Sequence, residues 1–375
     1  MKKILLAPNS FKECADSVKT AGIFLSCLSE TKGIEVISKP ISDGGDGFLN
    51  VCRLNFGLEK LVYQIPAPFE NSNNIECEIG YDRKNKSVYI ESANVLGMKI
   101  IPVEKRHPMY LSSKGMGVLL KKIITDINAG NIAVDDVIIG VGGTGTNDMG
   151  IGLLTELGLI LCNVKGKELL PLPINFRFVK HVLWRKKELP FNIELISDVN
   201  NALLGLNGAS FVFGKQKGLT EREIKEADDG FANLINIIKN SEITIPGFIS
   251  GAGGGLAAGF QIFLNASLTF ADKFITGPLK LNSKEKYSAV IIGEGAFDQQ
   301  SLMNKGTGAI IKMFTGTDIP VILCCGRIDR NVIEKLPVNV YPIMLSDYFE
   351  NEQDSIRYFE KGIGMACEEI KKMLT

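Results

Sequence analysis

The hydrophobic pattern near both ends of the chain predicts alternating strands and helices. Short apolar runs indicate buried strands, and apolar residues that recur every three or four positions indicate helices. From Val18 to Leu28 the helical spacing follows a polar loop, with Asp16 or Ser17 as the N-cap. The predicted elements are strands at 4–7, 35–38, 289–292, 321–325 and 338–342 and helices at 18–28, 48–56, 302–314 and 356–374. This order is typical of a parallel sheet that binds ligands at the carboxyl ends of its strands.

The middle of the chain shows a different pattern. Residues 74–91 alternate around a polar turn, which predicts an antiparallel hairpin. A helix at 114–128, a strand at 136–139 and a charged amphipathic helix at 219–239 follow. We therefore predict an α/β fold in which one domain is discontinuous and a second α/β domain is inserted into it. The predicted domains are 1–64 with 284–375, and 65–283.

Composition narrows the class of protein. The 375 residues are 45% hydrophobic and 22% charged, with 42 basic and 42 acidic side chains. This balance favours neither nucleic acid nor an anionic membrane as partner. The eight cysteines form no C-x-x-C pair, which predicts reduced, mostly buried thiols. His107 and His181 are the only imidazoles, which argues against a zinc site.

Two apolar segments could be mistaken for targeting or membrane signals. The run at 4–7 is too short for a signal peptide and ends at Pro8. The segment 248–264 is interrupted by glycines, Ser250 and Gln261 and is too short to span a bilayer. We therefore expect a cytoplasmic protein without a membrane segment.

The loop at 140–150 is the strongest candidate for chemistry. It joins the predicted strand at 136–139 to an apolar helical pattern and carries five glycines with several polar side chains. Glycines let the backbone approach a ligand closely, and a loop before a helix start is a natural anion-binding corner. The polar residues are Thr144, Thr146, Asn147 and Asp148.

The same loop contains a G-x-G-x-x-G pattern, formed by Gly140, Gly142 and Gly145. A dinucleotide site would need an acid at the end of the next strand. Asn163 and Val164 occupy that position instead, so the hypothesis of a nucleotide-dependent oxidoreductase is weak. No G-x-x-x-x-G-K-[ST] sequence is present, which excludes a Walker-type nucleotide loop.

Acids and lysines beside glycine loops suggest phosphate chemistry. A single Asp beside Gly usually serves the turn itself, but several acids at strand ends form a pattern. The acids are Asp43, Asp46, Asp148, Asp198, Glu294 and Asp298, and the lysines are Lys12, Lys215, Lys217 and Lys305. Magnesium–phosphate sites need one or two carboxylates, and phosphoryl transfer relies on Lys, Arg and Mg²⁺ rather than on histidine.

Together these loops resemble those of the bacterial glycerate kinase family. The matching segments are N-S-F-K-E at 9–13, D-G-G-D-G-F at 43–48, V-G-G-T-G-T-N-D-M-G at 141–150, D-V-N-N-A-L at 198–203, F-G-K-Q-K-G at 213–218, G-A-G-G-G-L at 251–256 and G-E-G-A-F-D-Q-Q-S-L-M-N-K at 293–305. The chain departs from the family pattern at Asn9, Glu13, Gly145, Met149, Asn200, Ala202 and Asn304. The order of the segments holds across nearly the whole chain.

The resemblance implies an ATP- and Mg²⁺-dependent kinase that converts D-glycerate to 2-phosphoglycerate. It also implies a Rossmann-like domain built from both termini, with the active site in the cleft beside the inserted domain. Because two acids of the family pattern are replaced, two alternatives stay open: a non-catalytic homologue that binds a sugar acid, and a kinase for a related hydroxy acid. We expect a monomer or a homodimer.

Motif positions and chemistry together predict the roles of individual residues. The predicted catalytic residues are Asp198, Asp43 and Lys12, with both acids as candidates for the base. Predicted to hold the acceptor are Ser10, Asn147, Asp148 and Lys217. Predicted to bind ATP are Gly142, Gly143, Thr144, Thr146, Gly253, Gly254, Ser301 and Lys305. The predicted Mg²⁺ ligands are Asp43, Asp148 and Glu294.

Overall fold

A computed structural model describes residues 1–11, 14–29, 31–70, 72–186, 188–281, 286–304 and 306–374. Its strands are β1 (Lys2–Pro8), β2 (Ile34–Ser38), β3 (Glu59–Pro66), β4 (Asn74–Asp82), β5 (Ser87–Glu91), β6 (Asp136–Gly140), β7 (Ile160–Cys162), β8 (His181–Leu183), β9 (Asn192–Ser197), β10 (Ser267–Phe270), β11 (Ala289–Phe297), β12 (Val321–Ile328) and β13 (Val340–Met344). Lys12 and Lys305, both predicted site residues, lie outside the described residues.

The helices complete the element order. They are α1 (Ser17–Leu28), α2 (Phe48–Phe56), α3 (Ala93–Leu96), α4 (Lys114–Asn128), α5 (Ile151–Glu156), α6 (Ala209–Lys217), α7 (Glu221–Lys239), α8 (Leu256–Leu264), α9 (Ala271–Thr276), α10 (Gln299–Asn304), α11 (Gly306–Phe314), α12 (Arg330–Ile333), α13 (Glu352–Arg357) and α14 (Phe359–Leu374). Among the described residues, none of these helices is both long and apolar enough to cross a bilayer.

The chain divides into two compact units. We name Met1–Asn55 with Phe270–Thr375 the terminal unit, and Phe56–Thr269 the central unit. Each has its own sheet, and the terminal unit is discontinuous in sequence. The domain limits predicted at 64/65 and 283/284 stay a prediction.

The terminal unit is built on a five-stranded sheet in the order β13-β12-β11-β1-β2. All four neighbouring pairs are parallel. The middle of β1 is fully buried, as expected for a strand with helices on both faces of its sheet. The chain proceeds from β1 to β2 in one direction and from β11 to β13 in the other, so the topological switch point lies between β1 and β11. Open parallel sheets bind ligands at such a point.

The central unit is built on a six-stranded sheet in the order β10-β9-β6-β5-β4-β3. The β3–β4 and β4–β5 pairs are antiparallel, which confirms the predicted hairpin at 74–91. The β5–β6 and β6–β9 pairs are parallel. Because of this, the loops after β5, β6 and β9 leave the sheet at the same edge. The predicted α/β class is confirmed: the sheet of the terminal unit is parallel, and that of the central unit combines parallel and antiparallel pairs.

Local elements follow the sequence pattern with two exceptions. Asp16 caps α1 by accepting a hydrogen bond from the Lys19 backbone N–H at 2.7 Å, as predicted. The single helix predicted at 302–314 is wrong, because α10 and α11 are separate helices. A Cβ at Gly308 would lie 2.2 Å from the Ser301 carbonyl oxygen, so glycine lets α11 pack tightly on α10. The last predicted helix is likewise divided, into α13 and α14.

All eight cysteines are free thiols, six of them buried.

Candidate functional site

The terminal unit has a cavity of about 270 Å³ at the switch point of its sheet. Its floor is the backbone at the carboxyl ends of β1, β11 and β12, since these parallel strands end at the same edge. The polar lining consists of Asn9, Ser10, Asp43, Glu294, Asp298, Arg327, Glu352 and Ser355. The structure therefore brings together Ser10, Asp43 and Glu294, which the sequence predicted for the site.

The Asp43 carboxylate is held by two neighbours. The Asn9 side-chain N–H donates to Asp43 Oδ2 at 3.2 Å, and the Gly45 backbone N–H donates to Asp43 Oδ1 at 3.2 Å. Asn9 is itself buried, and its Oδ1 accepts a hydrogen bond from the Ser10 backbone N–H at 2.8 Å. An ionised acid at position 9 could not donate to Asp43. The replacement of the family's acid by Asn9 thus provides a donor that orients Asp43.

Glu294 contributes the second carboxylate of this cavity. It lies near the end of β11, pairs in register with Cys325 of β12 and is only 7% exposed. Burial raises the pKa of the Cys325 thiol well above its ordinary value, and the negative charge of Glu294 adds to that rise. Cys325 is therefore a neutral packing residue beneath the cavity rather than a nucleophile.

Part of the cavity lining is apolar. Phe11 and Phe359 pack with ring centroids 4.9 Å apart, and Leu345 and Ile356 also line the cavity. The polar side chains come from the strand termini and from α13, which contributes Glu352 and Ser355. This mixed lining limits where a small, highly polar ligand can lie.

In the central unit, the loop that follows β6 is fixed from inside by Asp148. The carboxylate is fully buried and accepts four hydrogen bonds: two from Ser113 at 2.7 Å, one from Gly150 at 3.2 Å and one from Gly152 at 3.1 Å. Burial raises the pKa of Asp148, and the accepted hydrogen bonds act in the opposite direction. Because the carboxylate is enclosed and its oxygens are engaged, Asp148 holds this loop together, and its role as a Mg²⁺ or acceptor ligand stays a prediction.

Lys217 brings a buried cation to the same loop. It ends α6, and its Nζ donates to the Thr146 carbonyl oxygen at 2.6 Å and to Thr144 Oγ1 at 3.2 Å. Burial lowers the pKa of Lys217 to about 7, and the charge of Asp148 opposes this change. An anion beside this amine would favour its charged form and bind more tightly as it protonates.

Gly253 and Gly254 approach this loop closely, and both have positive φ angles, of 66° and 68°. A Cβ at Gly254 would lie 2.2 Å from the Thr146 carbonyl oxygen and 2.8 Å from Lys217 Nζ. The Met149 backbone N–H donates to the Gly254 carbonyl oxygen at 3.2 Å. The predicted residues at 144–148, 217 and 253–254 therefore form one cluster, which we name the glycine cradle.

Two buried polar atoms of the glycine cradle have no hydrogen-bond partner among the described residues. They are Thr146 Oγ1 and Asn147 Oδ1, whereas the Asn147 amide donates to Ser210 Oγ at 3.0 Å. Unsatisfied buried polar atoms are uncommon because each costs free energy, and they call for a ligand or water. The glycine cradle is thus a candidate for binding a polar or anionic group.

Some backbone amides predicted to surround phosphate are already engaged. Gly142 donates to Ser92 Oγ at 3.2 Å, and Gly145 donates to the Leu96 carbonyl oxygen at 2.6 Å. Gly251 donates to the Asn201 carbonyl oxygen at 2.8 Å. These bonds hold the loops together, and the role of Gly142 in binding ATP stays a prediction. Gly143 has a positive φ of 66°, which favours glycine in this turn.

The remaining predicted residues lie at other positions. Asp198 directly follows β9 and is half-buried, at the same sheet edge as the loop after β6. Ser301 is buried in α10 of the terminal unit with an unpartnered hydroxyl, and its backbone N–H donates to Asp298 Oδ1 at 2.8 Å. The predicted ATP ligands therefore divide between the units, with Ser301 in the terminal unit and the glycine cradle in the central unit.

Sequence reasoning missed Ser113, Ser210 and Arg327. Ser113 and Ser210 complete the hydrogen bonds of the glycine cradle, and Arg327 lines the cavity of the terminal unit. Ser113 precedes α4, where an N-cap residue is expected, and that was the only available signal. Arg327 is the penultimate residue of the apolar strand β12 and belongs to none of the predicted acid, lysine or glycine motifs.

The carboxylates of the terminal cavity fit a magnesium ion that takes some of its ligands from phosphate. Within the described residues, no group of three His, Cys, Asp or Glu side chains could hold a metal ion alone. Magnesium bound with phosphate needs only one or two carboxylates, since water and phosphate oxygens supply the rest. Asp43 and Glu294 line one cavity and meet that requirement.

Comparison with known proteins gives a consistent result. The sequence pattern of the Glycerate kinase family matches residues 4–375. A glycerate kinase from Neisseria meningitidis is 29% identical over 96% of this chain and 92% of that protein. A glycerate 2-kinase from Escherichia coli is 30% identical over 88% of this chain and 86% of that protein. A crystal structure of a protein assigned as glycerate kinase 2 from Salmonella typhimurium LT2 has a TM-score of 0.75 at 25% identity, over 100% of this chain and 98% of that chain.

Proposed function

The chain belongs to the glycerate kinase family, and from that premise we propose that it transfers the γ-phosphoryl group of ATP to D-glycerate and releases 2-phosphoglycerate. It is a kinase with an alcohol group as acceptor, and a kinase of this family uses ATP. The observation that carries the proposal is Asp43, held by Asn9 and Gly45 at the switch point of a parallel sheet. An oriented carboxylate at that position can accept the proton of a hydroxyl as it attacks phosphorus.

In the terminal unit we assign the acceptor and the metal. Asp43 would orient or deprotonate the acceptor hydroxyl, and Ser10 would contact the acceptor beside it. Asp43 and Glu294 would hold Mg²⁺ together with phosphate oxygens, and the ion would neutralise charge on the transferred group. Asp198, half-buried at the end of β9, is the second candidate for the base.

In the central unit we assign the phosphate chain of ATP to the glycine cradle. Lys217 would supply positive charge, and the unpartnered Thr146 hydroxyl would donate to a phosphate oxygen. Gly253 and Gly254 leave room for the ligand because any side chain there would occupy the space beside Lys217. Phosphoryl transfer depends chiefly on such positioning and charge neutralisation.

The proposal is tested by coupled measurement of ADP release with D-glycerate, ATP and Mg²⁺. We expect turnover by the wild-type protein, and ³¹P NMR of the product should show phosphate on the 2-hydroxyl. Asp43→Asn should lower kcat by about 10²- to 10⁴-fold, the usual contribution of a general base. Asp46→Asn, a change in the same loop, is the matched control and should leave kcat within about threefold.

Asp198→Asn separates the two candidates for the base. Suppose that Asp198→Asn lowers kcat by about 10²- to 10⁴-fold and that Asp43→Asn does not. Asp198 would then be the base in place of Asp43. Near-full turnover of both variants would contradict the mechanism. Wild-type protein that binds D-glycerate in calorimetry but never releases ADP would support the non-catalytic alternative. Turnover with a related hydroxy acid but not with glycerate would support the alternative of a kinase for that hydroxy acid.

A further inference from the structure

Arg327 lies on the rim of the cavity in the terminal unit. It follows Gly326 near the end of β12 and pairs in register with Ala296 of β11. A Cβ at Gly326 would lie 2.4 Å from the Gly295 carbonyl oxygen, so the two strands approach each other closely here. This close pairing fixes the backbone from which the Arg327 side chain extends, at the same sheet edge as the ends of β1 and β11.

The partner of Arg327 is an exposed carboxylate. Arg327 Nε lies 3.5 Å from Glu352 Oε1, and the two side chains are 58% and 61% exposed. Glu352 is the first residue of α13 and also lines the cavity. Exposed ion pairs of this kind contribute little to stability. The guanidinium can therefore exchange Glu352 for another carboxylate at small cost.

We propose that Arg327 binds the carboxylate of the acceptor and that Glu352 occupies its guanidinium when no acceptor is bound. This inference rests on the proposed function, because it supplies the acceptor of that reaction with a binding group. Arg327 thereby determines specificity for a hydroxy acid over a neutral polyol. A guanidinium can bind a carboxylate through two parallel hydrogen bonds, which fixes both its position and its orientation.

The charges of the cavity support this placement. Among its described lining side chains, Arg327 alone carries a permanent positive charge, whereas Asp43, Glu294 and Asp298 are acids of the same lining. A substrate carboxylate next to those acids would be repelled. The acceptor therefore orients with its carboxylate at Arg327 on the rim and a hydroxyl toward Asp43.

The apolar part of the cavity lining restricts the acceptor further. Phe11, Phe359 and Ile356 offer no hydrogen bonds to a carboxylate or a hydroxyl, so a small polyhydroxy acid gains nothing by lying against them. Arg327, Ser10 and Asp43 are among the polar groups available to it in the lining. A short hydroxy acid with one carboxylate is the ligand class that fits this arrangement.

Arg327→Leu tests the inference, with steady-state kinetics for D-glycerate and ATP. We expect the KM for glycerate to rise about 30-fold or more, as for loss of a charged bidentate contact, and the KM for ATP to change less than about twofold. Arg327→Lys keeps the charge without the planar fork and should give an intermediate KM. Wild-type protein should prefer glycerate to glycerol by kcat/KM, and Arg327→Leu should lose most of that preference.

Arg330→Leu is the matched control, an exposed arginine at the start of α12 that does not line the cavity. It should leave both KM values unchanged, and circular dichroism melting should show that all variants fold. A glycerate KM for Arg327→Leu within about threefold of wild type would overturn the inference. So would equal rises of the KM for ATP and for glycerate, since these would indicate general damage to the site.

Glu352→Gln tests the exchange of partners. It removes the competing carboxylate and should lower the KM for glycerate severalfold, with kcat unchanged, whereas an unchanged or higher KM would overturn the exchange. Failure of the proposed function has a different signature: wild-type protein would release no ADP with glycerate. In that case, calorimetric titration of wild type and Arg327→Leu with glycerate still tests the binding role, and equal affinities would overturn it.

Discussion

The cavity of the terminal unit and the glycine cradle of the central unit use acids in opposite ways. Asp43 lines a cavity, is half-buried and has two hydrogen-bond donors beside it. Asp148 is fully buried and accepts four hydrogen bonds from Ser113, Gly150 and Gly152. Both acids lie in glycine-rich loops and look equivalent in the sequence. In the structure the first carboxylate lines a cavity, where we propose that it binds a ligand, and the second accepts the amides of its own loop.

The difference follows from which hydrogen-bonding groups each loop must satisfy. The loop after β6 enters the interior of the central unit, where backbone amides need acceptors, and Asp148 supplies them. The loop at 43–47 lies at the end of a sheet, where water and ligands can satisfy polar groups. An acid beside glycine is thus a site residue only where the fold leaves its oxygens accessible.

The largest expected effect comes from removing the two acids in turn. Asp148→Ala leaves three buried backbone amides without acceptors and should lower the free energy of unfolding by about 3–5 kcal/mol. Asp43→Ala should change it by less than about 1 kcal/mol while abolishing turnover. Urea denaturation and ADP release measure the two quantities. If Asp148→Ala unfolds like wild type, or Asp43→Ala is the less stable variant, the contrast between the two regions is wrong.

Gly254→Ala should have the next largest effect, because the glycine cradle is closed by contact between backbones. The new Cβ would lie 2.2 Å from the Thr146 carbonyl oxygen, which cannot move without breaking its bond to Lys217. We expect a loss of at least about 3 kcal/mol in denaturant unfolding.

Gly166→Ala is the matched control for that variant. Gly166 has a similar positive φ of 73°, but a Cβ there would meet no atom within 4 Å. The control should cost only about 1 kcal/mol, the usual penalty for a left-handed alanine. Equal losses in both variants would show that backbone strain, rather than close approach, requires glycine at 254.

Much of the fold could be predicted because its signals are local. The limits of α2 and α4 match the predicted ranges 48–56 and 114–128, since apolar spacing decides a helix that packs on a core. The break between α10 and α11 was missed because it depends on a contact that sequence spacing does not record: Gly308 against the Ser301 carbonyl oxygen. The hydrophobic pattern of the sequence predicts helices and strands, whereas it does not predict tight contacts between helices.

The types of residue in the candidate site could be predicted from the sequence, but their hydrogen-bond partners could not. The glycine-rich loops of the sequence contain residues that the structure brings into contact, among them Lys217, Thr146 and Gly254. Sequence could not show that Asp148 is enclosed, since two of its four hydrogen bonds come from Ser113, 35 positions away. Met149 is a second example: it replaces a family glycine, yet it has a φ of 55° and is fully buried. Packing of its side chain offsets the cost of that left-handed conformation.

Lys217 offers a smaller and more specific test through proton uptake. Its pKa is lowered to about 7 in the ligand-free protein, and a bound phosphate should raise it. Binding of ATP should therefore take up close to one proton at about pH 8, where the free amine is mostly neutral, and less at about pH 6. Calorimetry in buffers of different ionisation enthalpy measures this uptake. Lys217→Met should abolish it, and Lys215→Met, at an exposed position on the same helix, should not.

The same lowered pKa predicts how stability depends on pH. The unfolded chain keeps a proton on Lys217 up to its ordinary pKa of 10.5, whereas the folded protein releases it near pH 7. Between these values the unfolded state binds more protons, so the free energy of unfolding contributed by this group rises with pH and is lowest below about pH 7. Lys217→Met should remove that rise. An unchanged pH profile in the variant would mean that the amine stays charged in the folded protein.

Gly145→Ala should have the smallest effect and tests whether the whole loop is as rigid as its buried acid suggests. The added Cβ would lie 2.7 Å from Ile101 Cδ1 and 2.9 Å from Met98 Sδ, both ends of flexible side chains, and 3.4 Å from the Leu96 carbonyl oxygen. These side chains can rotate away, so we expect a loss below about 1.5 kcal/mol in denaturant unfolding and unchanged KM for ATP. The family pattern has alanine at this position, which agrees with a tolerant site. A loss as large as that of Gly254→Ala would mean that the outer side of the loop is packed as rigidly as the side facing Lys217, and that the glycine cradle cannot adjust to its ligand.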